Sequence, residues 1–255
     1  MKDLKNQLNK KLQISAQESA ENPVTELIPV ESNYVALANN ALEIITENLK
    51  NQPLTYQLFD VIKSPSGGTT AFTVPGLSGD EIHKEITGII LDYSTPRAYW
   101  DTPDPIEGTP PVCYSRDSVI SHDGKSCAGC PFNDFGSRNK GDGNSNAKAC
   151  KESVEILLLR PDNIMPIIVR VPVSSKILFQ KYMARLVGQM IPISGVVTKI
   201  TLEKTTNKTG QPYALYGFEM VGVLSANEAV SAKEFGRRFG EIFNSANQVD
   251  VVETV

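Results

Sequence analysis

The chain has 255 residues, 40% of them hydrophobic and 21% charged, with a formal net charge of −4. This is ordinary globular composition with enough length for a sizeable core, and it excludes a histone-like polyanion binder that works by charge alone. No apolar run is long enough to span a bilayer, and the opening MKDLKNQLNKKLQ lacks the apolar core of a signal peptide. The chain is therefore expected in the cytoplasm, where four cysteines serve as metal ligands more readily than as disulfides.

In chain order, residues 1–30 are polar and read as a flexible lead-in. Residues 31–85 read as a helix and a hairpin packed on a following domain. Tyr34, Leu37, Ala41, Ile44, Ile45 and Leu49 recur at helical spacing. Two strand-like runs flank the turn from Ser64 to Gly68, and Ser78 and Glu81 stand at capping-box spacing for a helical turn. From Ile86, "EITGIILDYSTPRAYW" reads as one long strand. A Pro-, Gly- and Asn-rich insertion at 101–151 follows and holds every cysteine. "SVEILLLRPDNIMPIIVRVPV" reads as two strands about the turn at 160–163. "SSKILFQKYMARLVG" reads as a helix capped by Ser174 or Ser175, burying Ile177, Leu178, Tyr182, Leu186 and Val187. Two further strands flank "NKTGQP", and a last helix, "AKEFGRRFGEIF", lies within the segment 226–255.

The order is strand, long insertion, strand, strand, helix, strand, strand. The expected fold class is mainly β with α decorations (α+β): a five-stranded OB-fold barrel over 86–225, with the cysteine segment between its first and second strands. Such barrels bind single strands across one face and through the 1–2 and 4–5 loops.

Cys113, Cys127, Cys130 and Cys150 are spaced Cys-x13-Cys-x2-Cys-x19-Cys. A Cys-x2-Cys pair can turn two thiolates onto one tetrahedral ion, and two distant cysteines complete the shell, so the expected cofactor is a structural Zn²⁺. The alternatives are four unligated thiols and an iron–sulfur cluster. A thioredoxin-like dithiol fits less well, because Cys127 and Cys130 lie in a Gly/Asn-rich loop rather than at a strand–helix junction. His122 could replace one cysteine, although a lone loop histidine is more often solvated.

Charge is uneven along the chain. Residues 1–112 carry 8 Lys/Arg against 15 Asp/Glu, whereas residues 138–208 carry 12 against 5. A polyanion belongs with the second segment. Single-strand binding needs cations along phosphates and aromatic faces for bases. The candidate contacts are Arg97, Tyr99 and Trp100 at the end of the first strand. Tyr114, Phe132, Phe135, Arg138, Lys140, Lys148 and Lys151 follow on the cysteine segment. Arg160 and Arg170 come from the next two strands, and Lys199, Lys204, Lys208 and Tyr213 from the last hairpin. Trp100 could equally cap the barrel mouth.

The blocks "PPVCYSRDSVISHDGKSCAGCPFNDFGS", "ACKESVEILLLRPDNIMPIIVRVPVSSKILFQKYMARLVG" and "GVVTKITLEKTTNKTGQPYALYGFEMVG" resemble proteins of bacteriophages and integrative elements of Gram-positive bacteria. Those proteins are single-stranded-DNA-binding or replication-associated. The resemblance covers roughly residues 55–240, with the cysteine block its most specific part. In architecture alone, the chain is similar to the large subunit of replication protein A, whose OB domain carries a zinc ribbon at the same inter-strand position. The resemblance implies a single-stranded DNA partner and protection of DNA during replication, recombination or transfer. Bacterial single-strand-binding proteins end in an acidic tail closed by Phe, whereas this sequence ends "VDVVETV".

Catalysis is not expected. His83 and His122 are the two histidines and lie far apart in sequence, and no phosphate-cradling loop or metalloprotease motif is present. Asp101, Asp104 and Glu107 could bind Mg²⁺, but the prolines among them suit an extended acidic loop. Two rivals remain: a zinc-stabilised module that docks replication, recombination or host defence proteins, and an RNA binder. The acidic first 112 residues could pack a second sheet, mediate self-association or occupy the groove.

Overall fold

The computed structural model describes residues 34–37, 41–50, 52–102, 109–138, 147–207 and 210–245. The lead-in 1–30, Asp104, Glu107, Lys140, Lys208 and the C-terminal tail lie outside the described residues.

The protein is mainly β with a few helices. Ten strands are described: β1 (Val61–Ile62), β2 (Phe72–Val74), β3 (Glu81–His83), β4 (Glu85–Ser94), β5 (Arg97–Tyr99), β6 (Cys113–Ser115), β7 (Lys151–Leu159), β8 (Ile167–Pro172), β9 (Val196–Thr206) and β10 (Pro212–Val223). Helix α1 is Ala41–Leu49, α2 is Val173–Gly188 and α3 is Ala226–Asn244. The main sheet runs β1-β8-β7-β4-β9-β10, with β5 and β6 continuing from β7. Pairings from β8 to β10 are antiparallel, and β1 joins β8 in parallel.

The sheet curls into a half-barrel. Among the described residues β8 and β10 form no ladder. Side chains bridge them instead: the Ser64 and Tyr216 hydroxyls both donate to the Arg170 carbonyl, at 3.1 and 3.0 Å. The Tyr216 N–H donates to Ser175 Oγ at the start of α2, 3.0 Å away.

Both faces of the sheet are buried at β4, β7 and β8, which explains the apolar run Ile156–Leu159 of β7. Val154, Ile156 and Leu158 point into the curl with Ile90, Val169, Phe179 and Tyr216. Leu157 and Leu159 point outward beneath Phe235, Phe239 and Phe243 of α3, with Tyr56 and Phe59 beside them. Helix α3 starts at a capping box made by Ser225 and Glu228. It lies close on β4 because Gly236 and Gly240 face that strand. A Cβ at either would meet Leu91 O at 3.0 Å or Asp92 Oδ2 at 2.9 Å.

Several sequence expectations change. The runs flanking Ser64 to Gly68 do not pair with each other. Gly67 and Gly68 turn left-handed at φ +64° and +72°, and β1 pairs with β8 while β2 pairs with β3, which places Ile62 and Phe72 in one core. The capping-box segment at Ser78 and Glu81 is not helical, since Glu81 begins β3. The expected long first strand breaks at Thr95–Pro96 into β4 and β5. In α2, Ser175, Phe179, Tyr182 and Leu186 are buried, while Ile177 and Val187 are exposed. Pro172, not Ser174 or Ser175, is its N-cap, and the Ser175 hydroxyl serves β10. No helix among the described residues is long and apolar enough to cross a membrane.

One buried charge ties these parts together. Glu155 is fully buried on β7 and accepts from Arg116 of the cysteine segment and Arg170 of β8. Arg116 Nη2 also donates to the Phe243 carbonyl near the end of α3, at 2.9 Å, where the helix dipole favours a cation. Burial alone would raise the Glu155 carboxyl, but the attraction of Arg170 and Arg116 outweighs it and holds the group below its ordinary 4.5. A depressed folded-state value means that its stabilisation is complete above the unfolded pKa and fades as pH falls through the folded one. Glu155→Gln is expected to leave two guanidiniums uncompensated and to cost about 3–5 kcal/mol in urea unfolding at pH 7. The difference from wild type should shrink in acid.

Candidate metal centre and adjoining groove

Segment 111–150 has little apolar content, and its described residues are organised by turns. Asp117 accepts from the N–H groups of Val119 and Ile120, at 2.8 and 3.1 Å, which holds the carboxyl below its usual range. Ser121 closes the next turn through Lys125. The Cys130 N–H donates to the Cys127 carbonyl at 3.4 Å, the tight turn that a Cys-x2-Cys pair requires. The Cys150 N–H donates to the Phe132 carbonyl at 2.9 Å, which brings the far end of the insertion back to that turn.

These turns gather all four cysteines around one cavity of about 410 Å³. Burial raises the Cys113 thiol, and the neighbouring Asp123, Cys127 and Cys130 add to the effect. Burial likewise pushes Cys150 up to about 11, with Arg97 opposing it. Arg97 and Lys125 both line the cavity.

A tighter set includes one of these sulfurs. The ligand atoms of Cys113, His122 and Asp123 all lie within 4.8 Å of one another, so the structure contains a potential Cys/His/Asp metal site. Its members have other duties. The His122 ring stacks on Tyr114 with centroids 4.7 Å apart, and its Nδ1 accepts from the Tyr114 N–H at 3.4 Å. Asp123 is held at about 2 by Lys125 and then Ser121. His122 is therefore not simply solvated, although it does not line the four-cysteine cavity.

Two further cavities continue from this one along β5. Tyr99 and Phe132, stacked 3.9 Å apart at 14°, line both the cysteine cavity and a second space of about 260 Å³. That space also has Trp100, Arg138 and Lys151 on its walls. Trp100 and Lys151 then border a third, of about 320 Å³, with Lys63, Arg97 and Arg170. The result is one groove, aromatic at its centre and basic along its length.

The structure sorts the sequence candidates. Arg97, Tyr99, Trp100, Tyr114, Phe132, Arg138, Lys151 and Arg170 all line this chain of cavities. Trp100 is only 6% exposed, and its Nε1 donates to the Thr109 carbonyl at 2.8 Å, so it is a wall of the groove rather than a free platform. Phe135 is the opposite case, 72% exposed, with the Lys148 ammonium 4.6 Å from its ring centre.

Six described candidates lie outside this lining: Phe135 and Lys148 on the cysteine segment, and four farther away. Arg160 sits beyond the far end of β7, about 30 Å from Lys151 by strand rise, beside Asp162. Lys199 pairs with Glu219 across β9 and β10 at 2.8 Å. Lys204 and Tyr213 flank the outer end of that hairpin beside Gly68. None of these four lines the groove. Sequence reasoning missed Lys63 and Arg116. The signal for Arg116 was present: a lone Glu155 inside "SVEILLL" demands a buried cation.

Comparison with known proteins gives no match: no family model, no curated protein and no solved structure aligns with this chain.

Phe132 is tied first through its ring, which stacks on Tyr99, and second through its carbonyl, which accepts from the Cys150 N–H and the Ser137 hydroxyl. Phe132→Ala keeps the second and loses the first. It is expected to cost about 2 kcal/mol and to speed limited proteolysis within 116–150.

Proposed function

We propose that this protein binds single-stranded DNA in the groove along β5, on an OB-type sheet whose 1–2 insertion is shaped by a Zn²⁺ ion on Cys113, Cys127, Cys130 and Cys150. The observation that carries the reading is the run of three cavities with shared walls, in which the rings of Tyr99 and Phe132 stand with the cations Arg97, Arg138 and Lys151 and the wall of Trp100. Cations that follow phosphates and rings that receive bases are what sequence-tolerant single-strand binding requires.

The strand order supports the OB-type reading. Taking β4, β7, β8, β9 and β10 as strands one to five, the observed order is 3-2-1-4-5, with α2 between strands three and four. The β8–β10 closure is replaced by the bridging side chains of Ser64, Tyr216 and Ser175. Much of the outer face of β7 and β8, where such folds bind their ligands, is packed beneath α3. The open ground is the stretch past the end of α3, and the groove begins there.

Zinc suits the donor set. Four soft thiolates with no open position make a structural site, and four thiolates on a divalent ion leave two negative charges, which Arg97 and Lys125 face. The insertion has almost no apolar core of its own, so metal binding would supply much of its folding energy. The mobile-element setting rests on the resemblance of the cysteine block.

A second reading has its own observation. Val112, Val119 and Ile120 are 57%, 59% and 56% exposed on the cysteine segment, an apolar surface suited to docking a protein.

Purified protein is expected to carry one zinc per chain by elemental analysis. Cys127→Ser should lose it, and His122→Ala should retain it. Metal loss in His122→Ala with retention in Cys127→Ser would move the site to the Cys/His/Asp set. Dissociation constants for dT oligomers should rise steeply with salt, with a log–log slope of about 0.7 per phosphate contacted. Tyr99→Ala should cost about 1–3 kcal/mol of binding, and Lys199→Ala should cost little. Absence of binding at low salt with zinc bound would favour the docking module.

A further inference from the structure

The third cavity is charged in a way that base stacking does not explain. Its walls hold two carboxylates, Glu152 and Glu155, and each is already shared by two cations. Glu152 accepts from Arg97 and from Lys176, which reaches it from α2. Glu155 accepts from Arg116 and Arg170. Lys63 and Lys151 add two more positive charges at the rim. The side chains of Arg97 and Arg170 are only 10% and 11% exposed, so water screens their share of this charge poorly, whereas Lys63 and Lys151 are exposed. Two buried guanidiniums held by carboxylates cannot swing out to solvent, and a cation-rich pocket of about 320 Å³ is left between β1, β5, β7 and β8.

We infer that this cavity is a phosphate seat, built to hold one phosphate group of a nucleic-acid backbone whose adjoining base enters the Tyr99–Phe132 space. The inference rests on the single-strand reading for its ligand but not for its chemistry, because the charge surplus recognises any phosphate of that size. The two cavities share the Trp100 and Lys151 walls, so a phosphate in one and a base in the other are neighbours along one strand. Planar guanidiniums suit a tetrahedral oxyanion, since each offers paired donors. The carboxylates fix the two arginines in place before the ligand arrives. The seat is therefore pre-organised, and Lys63 and Lys151 supply the adaptable part.

Trp100 is the only tryptophan and forms a wall of the seat, so its emission reports on occupancy. Metal-loaded full-length protein is titrated with inorganic phosphate, with sodium chloride at matched ionic strength as reference. A saturable change with phosphate and none with chloride is expected. Lys63→Ala and Lys151→Ala should each weaken it about threefold to tenfold, and Lys199→Ala should not change it. Arg170 is left intact because it holds Glu155. A competition between inorganic phosphate and a dT oligomer identifies the natural source, and phosphate is expected to displace the oligomer. No phosphate response, together with salt-sensitive oligomer binding, would overturn the seat and leave the groove reading standing. Phosphate binding that is saturable in wild type and lost in Lys63→Ala, without any oligomer binding, supports the seat and overturns the nucleic-acid ligand. An undiminished response in both lysine variants would place the phosphate elsewhere and overturn the inference.

Discussion

A single carboxylate organises this molecule. Glu155 lies at 0% exposure in the middle of β7, between Val154 and the aliphatic run Ile156–Leu159. A buried charge is tolerated only when paired, and here two arginines from different parts of the chain converge on it. Arg170 comes from the neighbouring strand and would be close in any case. Arg116 comes from the cysteine segment and reaches across 39 positions. Its guanidinium also lies 4.4 Å from the Phe243 ring centre and 5.2 Å from that of Tyr56. One interaction thus fixes the polar insertion, the sheet, the last helix and the segment before β1 relative to each other.

That arrangement decides where a ligand could go. A half-barrel of this strand order offers its outer face, but α3 together with Tyr34, Ala36, Ile45, Tyr56 and Phe59 covers much of it with a second apolar layer. Among the described residues the covering ends near Phe243, where Arg116 takes the helix-end carbonyl. Beyond that point β7 continues as Lys151, Glu152 and Ser153, and β5 lies alongside with Arg97 paired to Glu152. Among the described residues the outer layer is shorter than the sheet, and the groove lies on the stretch left open. Its other wall is the cysteine segment, pressed onto β5 by the Tyr99–Phe132 stack. The proposed ion and the groove are therefore mechanically connected: Phe132 sits between Cys130 and Cys150 in the turn network and forms the ring surface on the groove side.

The N-terminal region takes on a structural role that its acidity did not suggest. Ile62 extends the sheet through β1, Phe72 fills the curl, and Ser64 bridges the unpaired gap between β8 and β10. Tyr34, Ala36, Ile45, Tyr56 and Phe59 complete the outer core with α3.

Local pattern was enough to reveal much of this protein. The five long strands and the two longer helices follow from apolar runs, turn residues and helical spacing. The cysteine insertion stands out because a polar stretch holding all four thiols needs something other than a core to fold it. The basic and aromatic residues flanking it were also legible, and eight of them do line the groove. What the sequence could not decide was partnership across distance. Val61 and Ile62 read as half of a hairpin, because nothing local says that β8 has a free edge. Ile177 and Val187 read as buried, because the phase of α2 was set by Ser175 binding the backbone of β10 and by Phe179 meeting Tyr93. Arg160 and Arg170 looked alike in the sequence, yet β7 and β8 run antiparallel, which sets Arg170 opposite Glu155 and leaves Arg160 beyond the far end of β7. Side-chain chemistry is written residue by residue, whereas which charges share a cavity depends on strand order, register and the length of a covering helix. Only the folded chain sets those three.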